Sequence, residues 1–108
     1  PENDRLGVLQ DVHWSAGLIA YFPTYALGNV LSVQFYDAAK RSLGSLDGAF
    51  AKGDYSALLG WQRENIHRHG RKYLPEELIR QATGEALTAR HYVKYLQEKF
   101  GSIYGLEG

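Results

Sequence analysis

Cysteine is missing from the sequence. Its absence excludes a disulfide framework, a thiolate zinc site and a catalytic cysteine within this chain, and fits a reducing, cytoplasmic setting. Methionine is missing too, and the first residue is Pro1. That start is the one expected of a processed product or of a piece cut from a longer polypeptide. No apolar run approaches the ~20 residues that a bilayer-spanning helix requires. The opening Pro1-Glu2-Asn3-Asp4 has the character of neither a signal peptide nor a transit peptide. Charge of one sign is not in excess, because 12 Lys and Arg balance 12 Asp and Glu. The chain as a whole therefore lacks the electrostatic pull on which most nucleic-acid binders rely.

What is present reads as one helical unit. A length of 108 residues, a hydrophobic fraction of 44% and a charged fraction of 22% suit a single globular segment with a modest core. Pro23 is suited to the first turn of a helix, where its missing donor costs nothing, and that helix can run to about Leu43. Leu27, Leu31, Phe35 and Ala38/Ala39 form its apolar stripe, and Ala26, Val30 and Val33 make its first half apolar nearly all round. Such a helix expects burial on several sides, more than a chain of this size can supply. A short helix is expected around Leu46 to Ala51, and another from Tyr55 to about His69, with Asp54 as its cap and Gly70 as its stop. Pro75-Glu76-Glu77 opens a further helix that closes at Thr83-Gly84. Thr88 can cap a last one, carrying Tyr92, Tyr95, Leu96 and Phe100 inward and ending at Gly101. No segment alternates as a strand does, so the expected class is all-α.

Most familiar chemistries find no footing. A thermolysin-type zinc site needs two histidines four apart on one helical face with a glutamate beside the first. His13, His67, His69 and His91 include no such pair, and no metal site is expected within the chain. Ser15 lies close to His13 but lacks the strand-turn-helix elbow of a serine nucleophile. The basic run through Arg63, His67, Arg68, His69, Arg71 and Lys72 is read as a solvated helix end, so neither nucleic acid nor membrane is expected as a partner.

The stretch from Gly7 to Tyr25 differs. Gln10, Asp11, His13, Tyr21 and Tyr25 fall close together among Val8, Leu9, Trp14, Leu18, Ile19 and Phe22. Polar groups in apolar surroundings must find partners. By composition alone a hydrogen-bonded core network and a functional cluster are both open readings, and core packing is the plain reading for Trp14 and Phe22.

Here the sequence resembles the carboxypeptidase Taq family of thermostable zinc carboxypeptidases. That family's GxxQDxHW signature is met by Gly7, Gln10, Asp11, His13 and Trp14, and its continuation by Tyr21-Phe22-Pro23-Thr24-Tyr25 and Leu27-Gly28-Asn29. Colinear matches follow at Leu59-Gly60-Trp61, Glu64 to Gly70, Pro75 to Leu78 and Ala82 to Glu85, so the similarity runs the length of the chain. Two positions depart from the pattern. Ala20 stands where a glycine is expected, and Leu74 stands where a capping threonine is expected before Pro75.

The resemblance implies residues 1–108 of a C-terminal helical segment, with 1–22 as the active-site signature region and 23–108 as helices. The parent would be a larger, mostly helical HExxH metallopeptidase that removes single residues from peptide C-termini. Zinc or cobalt would be held by ligands upstream of this chain, so the segment alone would be catalytically incomplete. Its partners would be the peptide C-terminus and the remainder of the same polypeptide, and the full-length enzyme would be a cytoplasmic homodimer. By type and order, His13 and one of Tyr21 or Tyr25 match the histidine and tyrosine with which related peptidases support the oxyanion. Asp11 and Gln10 are expected at the substrate, with orientation of His13 or the capping of a turn also open to Asp11 and the surroundings of the metal to Gln10. The other class of reading is a non-catalytic helical interaction or dimerisation module.

Overall fold

A computed structural model of the chain describes residues 1–106, and among them helices and turns account for all regular structure. Two short 3-10 turns, Asp4–Leu6 and Val8–Gln10, precede five α-helices: α1 (Pro23–Leu43), α2 (Asp47–Phe50), α3 (Ser56–Asn65), α4 (Pro75–Thr83) and α5 (Arg90–Tyr104). No helix is long and apolar enough to cross a membrane among the described residues.

The long helix α1 is the axle, with α3, α4 and α5 packed on it. Pro23 is its first residue and Gly44 its cap. Ala38 and Ala39 lie buried toward its C-terminal end, where small side chains let neighbouring helices approach closely. Trp61 of α3 completes this core, flanked by Phe35, Leu58, Ile66 and Ala82. Truncating a buried tryptophan typically costs about 3–5 kcal/mol.

Several expectations need correction. The helix read as Tyr55 to His69 stops at Asn65, and His67–His69 form a separate 3-10 turn after Ile66, whose backbone (φ −127°, ψ −65°) leaves the helical region. The Asn65 amide donates to the Trp61 carbonyl at 2.8 Å, offering that carbonyl a local alternative as the helix ends. Asp54 does assist the start, accepting from the Ser56 N–H at 2.9 Å. The last helix does not stop at Gly101. It runs to Tyr104 and closes on Gly105, whose φ of +63° suits a residue without a Cβ. An internal glycine costs only about 1 kcal/mol relative to alanine, and Phe100 stacks on Tyr104 across it. Of the four residues expected inward on this helix, Tyr92 and Leu96 are half-buried, whereas Tyr95 and Phe100 are exposed.

The first half of α1 is not enclosed. Tyr25 is 52% and Leu27 49% exposed, and Val30, Leu31 and Val33 are half-buried. Residues 1–22 are barer still: Leu6, Val8, Leu9, Val12, Trp14 and Ile19 are each more than half exposed. Trp14 therefore does not pack in a core of this chain. The radius of gyration, 17.8 Å, exceeds the ~13 Å of a compact domain of this length.

Candidate active site: a histidine between a carboxylate and a phenol

The chain before α1 is shaped by its own backbone. Ala16, Gly17 and Leu18 N–H groups donate to the Val12, Trp14 and His13 carbonyls at 2.9–3.0 Å, closing a tight turn. Ala20 follows with φ +62°, a left-handed conformation that L-residues enter at a cost. Thr24 and Tyr25 N–H groups then donate to the Tyr21 and Phe22 carbonyls as α1 begins. This reversal returns the polypeptide so that His13 meets Tyr25, twelve residues later.

Three side chains form a linear chain of contacts. Asp11 Oδ1 accepts the His13 backbone N–H at 2.9 Å, an Asx turn, and faces His13 Nδ1 at 2.5 Å. His13 Nε2 lies 2.9 Å from the Tyr25 hydroxyl. Around the imidazole, Phe22 and Tyr21 pack with centroids 5.0 and 5.6 Å away, and Tyr25 meets it edge-on at 5.8 Å. The two bonds from His13, first through its backbone and then through its ring, hold the Asp11 carboxyl below its ordinary value of 3.8. An ionised Asp11 can only accept, so Nδ1 carries a proton.

Of the residues singled out from the sequence, His13, Asp11, Tyr21 and Tyr25 come together. Tyr25 bonds to the imidazole and Tyr21 stacks on it, a distinction that sequence order left open. Gln10 is placed differently: its amide nitrogen donates to the Arg5 carbonyl at 2.7 Å and pins the preceding turn. His13 is half-buried and its neighbours are exposed, so the group forms an open surface rather than the buried network that was the alternative reading.

The buried network lies elsewhere, at a residue the sequence did not flag. Gln34 of α1 has no exposure. Its amide nitrogen donates to Thr83 Oγ1 (3.2 Å) and the Ala86 carbonyl (2.9 Å), and its oxygen accepts the Thr88 N–H (3.0 Å). Beside it, His91 has Nδ1 2.8 Å from Asp37 and Nε2 2.7 Å from Glu85. Glu85 also takes Arg90 at 2.6 Å, and its carboxyl is held below its usual value of 4.5, chiefly by the hydrogen bond from His91. A glutamine on the apolar stripe itself, three residues after Leu31 and four before Ala38, was the available signal for Gln34; its partners, about fifty residues away in sequence, were not available.

No group of three or more metal-ligating side chains occurs among the described residues. The donors among the described residues therefore do not fit a resident metal. In the basic run, Arg68 pairs with Glu64 on the helix surface.

The model of the carboxypeptidase Taq (M32) metallopeptidase family matches residues 1–100. The thermostable carboxypeptidase 1 of Thermus thermophilus is 44% identical over 105 residues, which are 97% of this chain and 21% of that protein. The crystal structure of an M32 carboxypeptidase from Deinococcus radiodurans superposes with a TM-score of 0.84 at 51% identity, covering 98% of this chain and 22% of the other. Metallocarboxypeptidase 1 of Trypanosoma cruzi gives 0.82 at 44% identity over 92% of this chain and 21% of its own. The chain thus spans about a fifth of the length of the relatives it matches.

Proposed function

The chain belongs to the carboxypeptidase Taq (M32) metallopeptidase family, and from that membership we propose that it forms the C-terminal segment of an enzyme that trims single residues from the carboxyl ends of peptides. In this reading the family's metal, zinc or cobalt, is held by parts of the longer protein beyond this chain. The exposed apolar side chains of residues 1–22 and of the first half of α1 are covered by that remainder. The whole enzyme is a cytoplasmic homodimer that takes a peptide C-terminus as substrate and binds neither nucleic acid nor membrane.

The observation that carries the proposal is the Asp11–His13–Tyr25 chain on an open, apolar surface. Cleavage of a peptide bond passes through a tetrahedral species whose oxygen bears developing charge, and prepositioned donors lower its energy. The paired His13 imidazole and Tyr25 phenol supply such a donor, with Tyr21 stacked behind them as packing support. Gln10 steadies the turn that carries Asp11, and Asp11 acts on the substrate through His13.

The free-standing interaction module is the weaker reading, because the core is small and the extended shape leaves large side chains uncovered. The test uses the full-length protein. His13→Ala is expected to lower kcat a hundredfold or more, the effect of disabling one oxyanion donor, about 2.7–4 kcal/mol. Metal content should be unchanged. Unaltered turnover would remove His13 from the chemistry.

A further inference from the structure

Both nitrogens of the His13 ring are engaged, and the way they are engaged decides where the Tyr25 proton goes. Asp11 requires a proton on Nδ1. In the neutral imidazole Nε2 is then a bare acceptor, and the 2.9 Å contact with Tyr25 can be a hydrogen bond only if the phenol donates its single proton to it. That form presents no donor to a substrate, because the hydroxyl proton is turned inward. If Nε2 takes up a proton from solvent, the bond reverses: Nε2–H donates to the phenol oxygen, and the hydroxyl proton is released to point outward. One proton enters at Nε2 and none leaves; the Tyr25 O–H bond stays intact.

We infer that Asp11 is a positioning residue that holds His13 with Nδ1 protonated, so that charging His13 turns the Tyr25 hydroxyl toward the substrate oxyanion. This rests on the carboxypeptidase reading above and deepens it: Tyr25, rather than Tyr21, is the phenolic donor, and His13 acts through it. The titratable groups that meet the imidazole are Asp11 from its own turn, Tyr21 from the segment before α1 and Tyr25 from α1 itself. Asp11 is the single charged one among these. Phe22 supplies an apolar wall.

The experiment is the pH profile of kcat in the full-length enzyme, for wild type, Asp11→Asn, Tyr25→Phe and the double variant. The expected result is a wild-type basic limb that Asp11→Asn moves to lower pH by about one unit or more, since removing an opposite charge within ~4–6 Å disfavours the charged ring. A merely structural role for Asp11 would lower kcat at every pH and leave the limb in place, which would overturn the inference. Tyr25→Phe should lose the limb, because no hydroxyl remains to be turned, and adding Asp11→Asn to it should change little. A limb that persists in Tyr25→Phe, or fully additive losses in the double variant, would also overturn it. Should Asp11→Asn fail to fold, the Tyr25→Phe profile decides alone. Failure of the underlying reading looks different: the wild-type protein would then release no C-terminal residue at all.

Discussion

Gln34 and His13 are both polar side chains with every ring or amide contact satisfied, yet they stand in opposite surroundings. Gln34 lies wholly buried at the middle of α1, tied to the α4 end and to the α4–α5 connection by bonds spanning about fifty residues of sequence. His13 is held only by residues within twelve positions of itself, on a surface where Trp14 and Ile19 are uncovered. Among the described residues no buried side-chain nitrogen or oxygen lacks a partner. The network around Gln34 is therefore complete within the chain and serves folding. The group at His13 is locally built and faces outward, the arrangement expected of chemistry completed by something else.

The sharpest way to break that comparison is to exchange the two effects. Gln34→Leu is expected to destabilise the protein by about 2–4 kcal/mol, because it leaves the part-buried Thr88 N–H and Ala86 carbonyl without partners. His13→Ala should change the urea midpoint little while lowering kcat a hundredfold or more. If urea unfolding showed the larger loss at His13, the division between folding network and working group would be wrong.

Acid sharpens it further. The folded-state carboxyl of Glu85 is depressed by His91 and its neighbouring cations. Its contribution is therefore present above the ordinary glutamate value and lost as pH falls through the lower, folded-state value. Melting temperature should drop across that acidic window, and Glu85→Gln should be less stable at neutral pH and flatter within the window. A wild-type melt that showed the same slope as Glu85→Gln would remove this carboxylate from the bundle's stability.

Smaller effects separate the two regions at the backbone. Ala20 occupies the left-handed region at φ +62°, so Ala20→Gly should stabilise the protein by about 1 kcal/mol. It should do so by relaxing the reversal that delivers His13 to Tyr25. Calorimetry showing no gain would mean that the strain is absent. In the bundle, Leu74 caps α4 with no side-chain hydrogen bond and is 74% exposed. Leu74→Thr should add about 0.5 kcal/mol, read as a small rise in urea midpoint.

The helices were largely legible because their signals are local. Pro23 and Pro75 at first positions, Gly84 past an end and the spacing of Phe35, Ala38 and Ala39 each act within a turn or two of themselves. Boundaries went wrong where two local preferences competed, at Asn65 and at Gly101. The cluster of His13 with Asp11 was readable for the same reason, since an Asx turn needs only two residues of separation. Choosing Tyr25 over Tyr21 was not, because it depends on the path through Ala20.

Short-range rules thus sufficed for the all-helical character, for the capped ends and for the meeting of Asp11 with His13, because hydrogen bonds within a helix or turn join residues a few positions apart. Which glutamine is buried, which carboxylates grip His91 and how bare the first half of α1 remains depended on folding. Those outcomes rest on packing between segments that meet across tens of residues, and a one-dimensional pattern carries no record of which distant partner will be there.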